Sequence, residues 1–318
     1  MATKLTFSKP GFADRDAYTN LWDATIDTHI QRVEDTVMQG FQFVQKVTDN
    51  MPSLGSNDAI TSRITSWSNI LGLPVKSSDT APLVQDQVAK GYTKDINIYT
   101  YRLGTRITRT LVKLDRSGRA SEMLSGLPDS AAKLYEYSIA DLFNNGQTTV
   151  GADDSYLFAT DHYQENAGEG GTWSNLLVSA VLSPSSFDTM RIAMRRRKGE
   201  RGFITPLKLD TLIHVADNEQ IARQIATSDK IADSALMGDN PWKGVKPVCY
   251  DYLTSTTMWL GMDSTKPESS RGLHVVEFTA PEIKPGKLDE EILAAYKLYM
   301  QFGVGGSQVK SIVMNAGA

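Results

Sequence analysis

The stretch that most constrains this chain runs from residue 119 to residue 177, where a long helical pattern gives way abruptly to an irregular, turn-rich segment. Ala131, Leu134, Tyr135, Ile139, Leu142 and Phe143 recur at three and four, the spacing of one buried helical face. Pro128 suits a first turn, where its missing N–H costs nothing, and Asp129 suits the positive end of the helix dipole. Asn144-Asn145-Gly146 stops the pattern. From Pro128 to Asn145 such a helix would be roughly 25 Å long at 1.5 Å per residue, enough to cross a domain as a spine. The second half has no period but many turn formers: Gly151, Asp153, Asp154, Gly168, Gly170, Gly171 and Asn175. A loop this long is functional or covered by a neighbour.

A chain of 318 residues can hold two domain-sized cores. Its 41% hydrophobic and 22% charged residues are ordinary for a globular protein. The formal net charge of −4 argues against a protein that coats nucleic acid, which needs a basic surface, but suits a wall that merely encloses it. Cys249 is the only cysteine, so an intrachain disulfide and CxxC sites are excluded, and it reads as a small buried hydrophobe. No run approaches the roughly 18 apolar residues of a membrane span, and no apolar signal core follows Met1. A cytoplasm-like compartment and no membrane partner are expected.

Residues 14–49 carry Leu21, Trp22, Ile26, Ile30, Val33, Val37, Phe41 and Val44 at helical spacing. They predict one amphipathic helix, or two broken near Gly40, packed on the chain's own core or on a neighbouring chain. Residues 51–87 are polar apart from a short apolar patch at 67–75. Residues 96–101 and 102–112 then alternate with strand character and finish in the turn 115–118. Two extended arms around a polar tip make a long hairpin, and a two-stranded ribbon is marginal unless it lies on another surface. On a strand, Arg102 and Arg106 share one face and Arg109 takes the other.

Downstream, Ser183-Pro184 opens a helix reaching Arg201, with Phe187, Met190 and Met194 on its apolar side. Arg195-Arg196-Arg197-Lys198 reads either as a solvated helix end or as a basic patch. Residues 207–215 form a strand with Leu207, Leu209, Thr211 and Ile213 facing one way, 217–227 a helix, 239–244 a turn into 245–249, and 258–262 a buried strand. This is a compact α+β arrangement over 176–270. Residues 267–272 lead out to a strand at 273–278, a loop at 280–291, and strands at 292–302 and 312–314.

The helix ending in a polar turn, the run Leu157-Phe158-Ala159-Thr160-Asp161-His162, the Gly-rich stretch, Ser174-Asn175-Leu176-Leu177 and the helix rich in Met and Arg together resemble the Mu-like major head subunit family of tailed bacteriophages. That resemblance implies an α+β fold of the Hong Kong 97 capsid type: an N-terminal arm (1–60), an extended β-hairpin or E-loop with flanking P-domain segment (61–118), a P-domain with the spine helix (119–175), an inserted A-domain (176–270), and a return to the P-domain whose final strand lies in the A-domain (271–318). It implies a major capsid protein that self-assembles into hexamers and pentamers of an icosahedral shell around double-stranded DNA, without sequence-specific binding, in the virion after assembly in the host cytoplasm. Portal and decoration proteins are further partners, and the arm reaches an adjacent subunit. Arg102, Arg106, Arg109, Arg195, Arg196 and Arg197 are candidate intersubunit contacts, with Asp153, Asp154 or Glu165 of a neighbour as acidic partners. Because the first helix begins by about residue 14, a separate scaffold or protease-scaffold protein is expected, with the mature amino terminus near Met1 or Ala2.

Two readings from other classes stand beside it: an encapsulin-like compartment and a soluble enzyme using Asp161 and His162. The chain has no GxxxxGK[ST] phosphate loop, no GxSxG elbow and no HExxH. Gly303-Val304-Gly305-Gly306 opens no helix, and His29, His162, His214 and His274 share no metal-ligand spacing. No cofactor, metal or catalytic residue is expected, and Asp161-His162 reads as a structural hydrogen-bonding pair.

Overall fold

The computed structural model describes residues 5, 17–36, 38–49, 53–54, 60–67, 90–114, 119–163, 172–177, 179–198, 204–230, 239–285 and 292–317. In chain order, the first half holds α1 (Ala17–Asp35), β1 (Gln45–Thr48), β2 (Ser53–Leu54), β3 (Ile60–Trp67), β4 (Lys90–Thr108), α2 (Arg109–Leu114) and α3 (Arg119–Asn144). The second half holds β5 (His162–Tyr163), β6 (Thr172–Trp173), β7 (Leu176–Leu177), α4 (Pro184–Arg195), β8 (Thr211–His214), α5 (Glu219–Thr227), β9 (Lys246–Cys249), β10 (Trp259–Met262), β11 (Leu273–Pro285), β12 (Ile292–Gly306) and β13 (Ile312–Asn315). Two compact units result: residues 1–62, 96–140 and 274–305 in the first, and residues 63–95, 141–273 and 306–318 in the second.

The first unit is built on long strands. The sheet order is β1-β11-β12-β4-β3-β2, with β1 parallel to β11 and β12 antiparallel to β4 from Tyr99↔Phe302 to Thr108↔Ile292. Alternation along β12 sends Tyr296, Leu298, Met300 and Phe302 to one face, where all four are buried. Helix α3 covers that face: the Tyr135 ring stacks on Phe302 at 4.1 Å and meets Phe41 at 5.7 Å. Ile26, Ile30 and Val33 of α1 are buried as well, and the Tyr296 hydroxyl donates to buried Asp23 at 2.6 Å.

Several elements differ from the sequence reading. Helix α3 begins at Arg119, so Pro128 lies inside it rather than in its first turn. A proline there removes the N–H that would reach the carbonyl of Leu124, and the helix carries on because Leu124, Leu127 and Ala131 are buried on either side of it. The Ser130 hydroxyl satisfies the Gly126 carbonyl at 2.6 Å. The amino-terminal helix stops at Asp35. Phe41 and Val44 are buried from a short 3₁₀ turn (Gly40–Gln42) and the bend after it, because the chain turns there to pair with β11. The side chains of Leu21 and Trp22, and Val37, lie outside the described residues.

Residues 96–108 are part of one strand of 19 residues that lies between its antiparallel partner β12 and β3, and α2 takes 109–114, so Arg109 and Val112 leave the strand. The expected tip and the turn at 115–118 fall outside the described residues. Similarly, β11 extends to Pro285, through the first half of the expected loop, because strand pairing continues past the local Pro and charge signals.

In the second unit the strand order is β7-β13-β10-β8-β9, with β10 antiparallel to both β8 and β13. Every residue of β8 and β10 is buried, as central strands require. Helix α4 presents Phe187, Met190 and Met194 to a core shared with Leu212, Ile225 and Trp259. Ser183 caps it through a reciprocal box with Ser186. The helix ends at Arg195 instead of Arg201, and Leu207 and Leu209 are buried from extended chain ahead of the ladder. Cys249 is half-buried rather than fully buried; its thiol donates to Asp251 at 3.3 Å, and burial is the main cause that pushes its pKa up to about 11.

Two glycines make opposite tests. Gly126 sits mid-helix with nothing within 4 Å of where an added Cβ would lie, whereas Gly272 has φ +71° and an added Cβ would lie 1.9 Å from the Gln308 carbonyl oxygen. Gly126→Ala is expected to raise stability by about 0.5–1 kcal/mol in denaturant melts. Gly272→Ala should lower it by more than that, since the backbone conformation itself is disfavoured.

Candidate functional site

Arg102 and Arg106 stand on the exposed face of β4, and the Arg102 guanidinium lies 5.5 Å from the ring centroid of Tyr299, its register partner. The Arg109 side chain lies outside the described residues, and its place in α2 removes it from the strand alternation. The opposite face of β4 continues the apolar face of β12, since Tyr99, Tyr101 and Leu103 pair with Phe302, Met300 and Leu298. Yet Tyr99 is 56% and Leu103 47% exposed. Two apolar side chains of this face thus stand open, while Tyr101 between them is half-buried against the Phe302 ring at 4.8 Å. Tyr137, on the outer face of α3, is 63% exposed.

In the second unit the basic run splits. Arg195 and Arg196 are exposed where α4 ends, beside exposed Ile192 and Ile204. Arg197 turns inward: its guanidinium donates to the carbonyls of Lys310 and Val309 and lies 3.9 Å over the Trp173 ring. Burial lowers its pKa to about 9. Arg197 is therefore spent within its own unit and is not available to a neighbour, a correction to the sequence reading.

The Asp161-His162 pair is corrected too. His162 is buried, but its Nδ1 meets Asp153 Oδ2 at 2.8 Å and its Nε2 meets Asn175 Oδ1 at 2.9 Å, while Asp161 is exposed. Asp153 is buried in this contact, which also removes it from the acidic surface groups; Asp154 is exposed at φ +60°, and Glu165 lies outside the described residues. With both ring nitrogens engaged, His162 has none left to take a proton from a nucleophile. His214 bonds the Val215 carbonyl at 2.9 Å, and burial lowers the His274 pKa to about 4. Among the described residues no three His, Cys, Asp or Glu side chains gather to hold a metal ion. No described helix is long and apolar enough to cross a membrane. What the described residues present at the surface is Tyr99 and Leu103 on one face of β4, exposed arginines and scattered aromatics.

The family described as phage capsid protein matches residues 91–314. No curated protein matches the chain. In fold the chain is similar to the capsid of the Cyanophage P-SCSP1u, at TM-score 0.58 and 10% identity over 87% of this chain and 86% of that one. It is also similar to the capsid of Ralstonia phage GP4, at TM-score 0.53 and 10% identity over 86% of each chain. The procapsid of bacteriophage JBD30 matches at TM-score 0.52 and 12% identity, over 95% of this chain and 76% of that one.

The split of the basic run has a direct test in denaturant melts of the subunit. Arg195→Gln with Arg196→Gln should leave the stability within about 0.5 kcal/mol of the parent, as for exposed charges. Arg197→Gln should cost on the order of 2–4 kcal/mol, because two carbonyls lose a charged donor and the Trp173 face loses its cation.

Proposed function

The chain belongs to the phage capsid protein family, and on that premise we propose that copies of it join through the uncovered faces of β4 into hexameric and pentameric rings that close an icosahedral shell around double-stranded DNA. The protein is a structural major capsid subunit with the Hong Kong 97-type fold, not an enzyme, and its place is the virion. The observation that carries the proposal is the strand Lys90–Thr108, which leaves Tyr99 and Leu103 exposed on one face and Arg102 and Arg106 on the other. Burying such groups between neighbours supplies both apolar area and register. Arg195 and Arg196 are a second contact, with acidic groups such as Asp154 of a neighbouring copy.

The ribbon of β3 and β4 is the E-loop, α3 the P-domain spine, and the sheet of β7 to β10 with β13 the A-domain, into which the chain returns at its last strand; residues 1–60 are an arm toward an adjacent subunit. The motifs at 157–162 and 174–177 support the Mu-like major head subunit group. A separate scaffold or protease-scaffold protein, portal and decoration proteins, and assembly in the host cytoplasm belong to this reading. The enclosed DNA is held without sequence-specific contacts, in keeping with a net charge of −4.

Electron microscopy of the full chain with its scaffold partner is expected to show closed shells. Tyr99→Ser with Leu103→Ser should give a subunit with unchanged far-UV dichroism that forms no shells, and Arg102→Gln with Arg106→Gln should weaken assembly at low salt and flatten its dependence on salt concentration. Normal shells from the Tyr99/Leu103 variant would overturn the role given to β4.

A further inference from the structure

Asn175 fixes the proton count of a buried cluster in the second unit. Its side-chain nitrogen donates to the Leu157 carbonyl at 2.7 Å and the Val309 carbonyl at 3.2 Å, and its Oδ1 accepts from the Ala159 amide at 2.9 Å. The amide therefore has only one orientation that satisfies its neighbours. The atom it turns toward His162 Nε2, at 2.9 Å, is an acceptor, so Nε2 carries hydrogen. The other ring nitrogen faces the Asp153 carboxylate at 2.8 Å, with the two side chains 1% and 0% exposed. Two acceptors on one imidazole require two ring protons when the carboxylate is ionised. Asp153 Oδ1 is buried and has no hydrogen-bond partner among the described residues, so the contact of Oδ2 with His162 is the one that satisfies this carboxylate there.

We propose that Asp153, His162 and Asn175 form a proton-requiring clasp that ties the turn at 151–155, the run 157–162 and the connection at 309 between β12 and β13 into one piece. The proposal goes beyond shell formation and does not depend on it. The clasp is closed while His162 holds both ring protons and Asp153 holds none. Without the Nδ1 proton a ring lone pair would face a buried carboxylate, and with a proton on Asp153 a buried imidazolium would lack its counter-charge. Two further cations lie nearby, which favour the Asp153 anion and oppose the charge on His162: Trp173 stacks on His162 at 4.3 Å and carries Arg197 at 3.9 Å, and Lys94 donates to the carbonyls of Val150 and Gly151 at 2.9 and 3.1 Å. Asp154 and Asp161 are exposed, as is Tyr163, whose carbonyl accepts from the Gln308 amide at 3.5 Å.

The test is nitrogen NMR of the full chain labelled with ¹⁵N-histidine, as soluble subunit or sedimented shell, with His162→Gln used to assign the signal. Both His162 nitrogens should be protonated near neutral pH. At the same pH Asp153→Leu, which removes the counter-charge, should lower the exchange protection of the Ala159 and Asn175 amides at least about tenfold. In Asp153→Asn the amide can donate to a neutral imidazole, so His162 should there carry a single ring proton with that protection kept. A neutral His162 at neutral pH in the parent overturns the proposal, as does a doubly protonated His162 in Asp153→Asn; the parent spectrum decides even where a variant fails to fold.

Discussion

The stack of Tyr135 on Phe302, at 4.1 Å, is the contact on which the first unit depends, because it joins its longest helix to one of its longest strands. Both rings are fully buried. A phenol can be buried only if its hydroxyl finds an acceptor, and here it donates to Glu277 at 3.0 Å. A buried carboxylate needs a counter-charge in turn, which Lys46 supplies at 3.1 Å from β1. The parallel pairing of β1 with β11 sets Lys46 opposite Val275, two residues from Glu277 and close enough to reach it. Burial, reinforced by Glu277, holds the Tyr135 pKa well above its ordinary value, so the phenol stays a donor across the physiological range.

The second unit solves its polar accounting largely with amides and backbone. Asn175 joins the chain at 157–159 to Val309, and its backbone pairs with Ala159 and Met314. Asn315 accepts from Ala180 and Gly317 in the same manner. Interiors tied together in this way leave the surface to carry the function. A shell subunit needs no bond chemistry; it needs faces that hold their shape until a neighbour covers them.

Much of this was legible in the sequence. Ala131, Tyr135, Ile139 and Phe143 announce the buried face of α3, and Ser183-Pro184 with Phe187, Met190 and Met194 announces α4 and its core side, both as found. The errors have physical causes. Pro128 mimics a helix start because proline is most at home in a first turn, and nothing local reveals that Leu124 and Leu127 are held on the core side ahead of it. Asp161 and His162 look like a pair because they are adjacent, but neighbours on extended chain point to opposite sides. The acid that His162 meets lies nine residues earlier, across a turn whose path no spacing rule predicts.

The sequence alone determined the periodic elements, the α+β class, the lack of any recognisable catalytic or metal-binding motif, and the resemblance to a capsid family, because each is carried by residues close together in the chain. Only the tertiary structure decided that β4 is one strand paired with β12, that Arg197 leaves its exposed neighbours to lie against Trp173, and that His162 bridges Asp153 and Asn175. Periods of 3.6 and 2 residues are written locally. Which buried polar group meets which partner depends instead on how distant segments are brought together, and that is settled by the packing of the whole core.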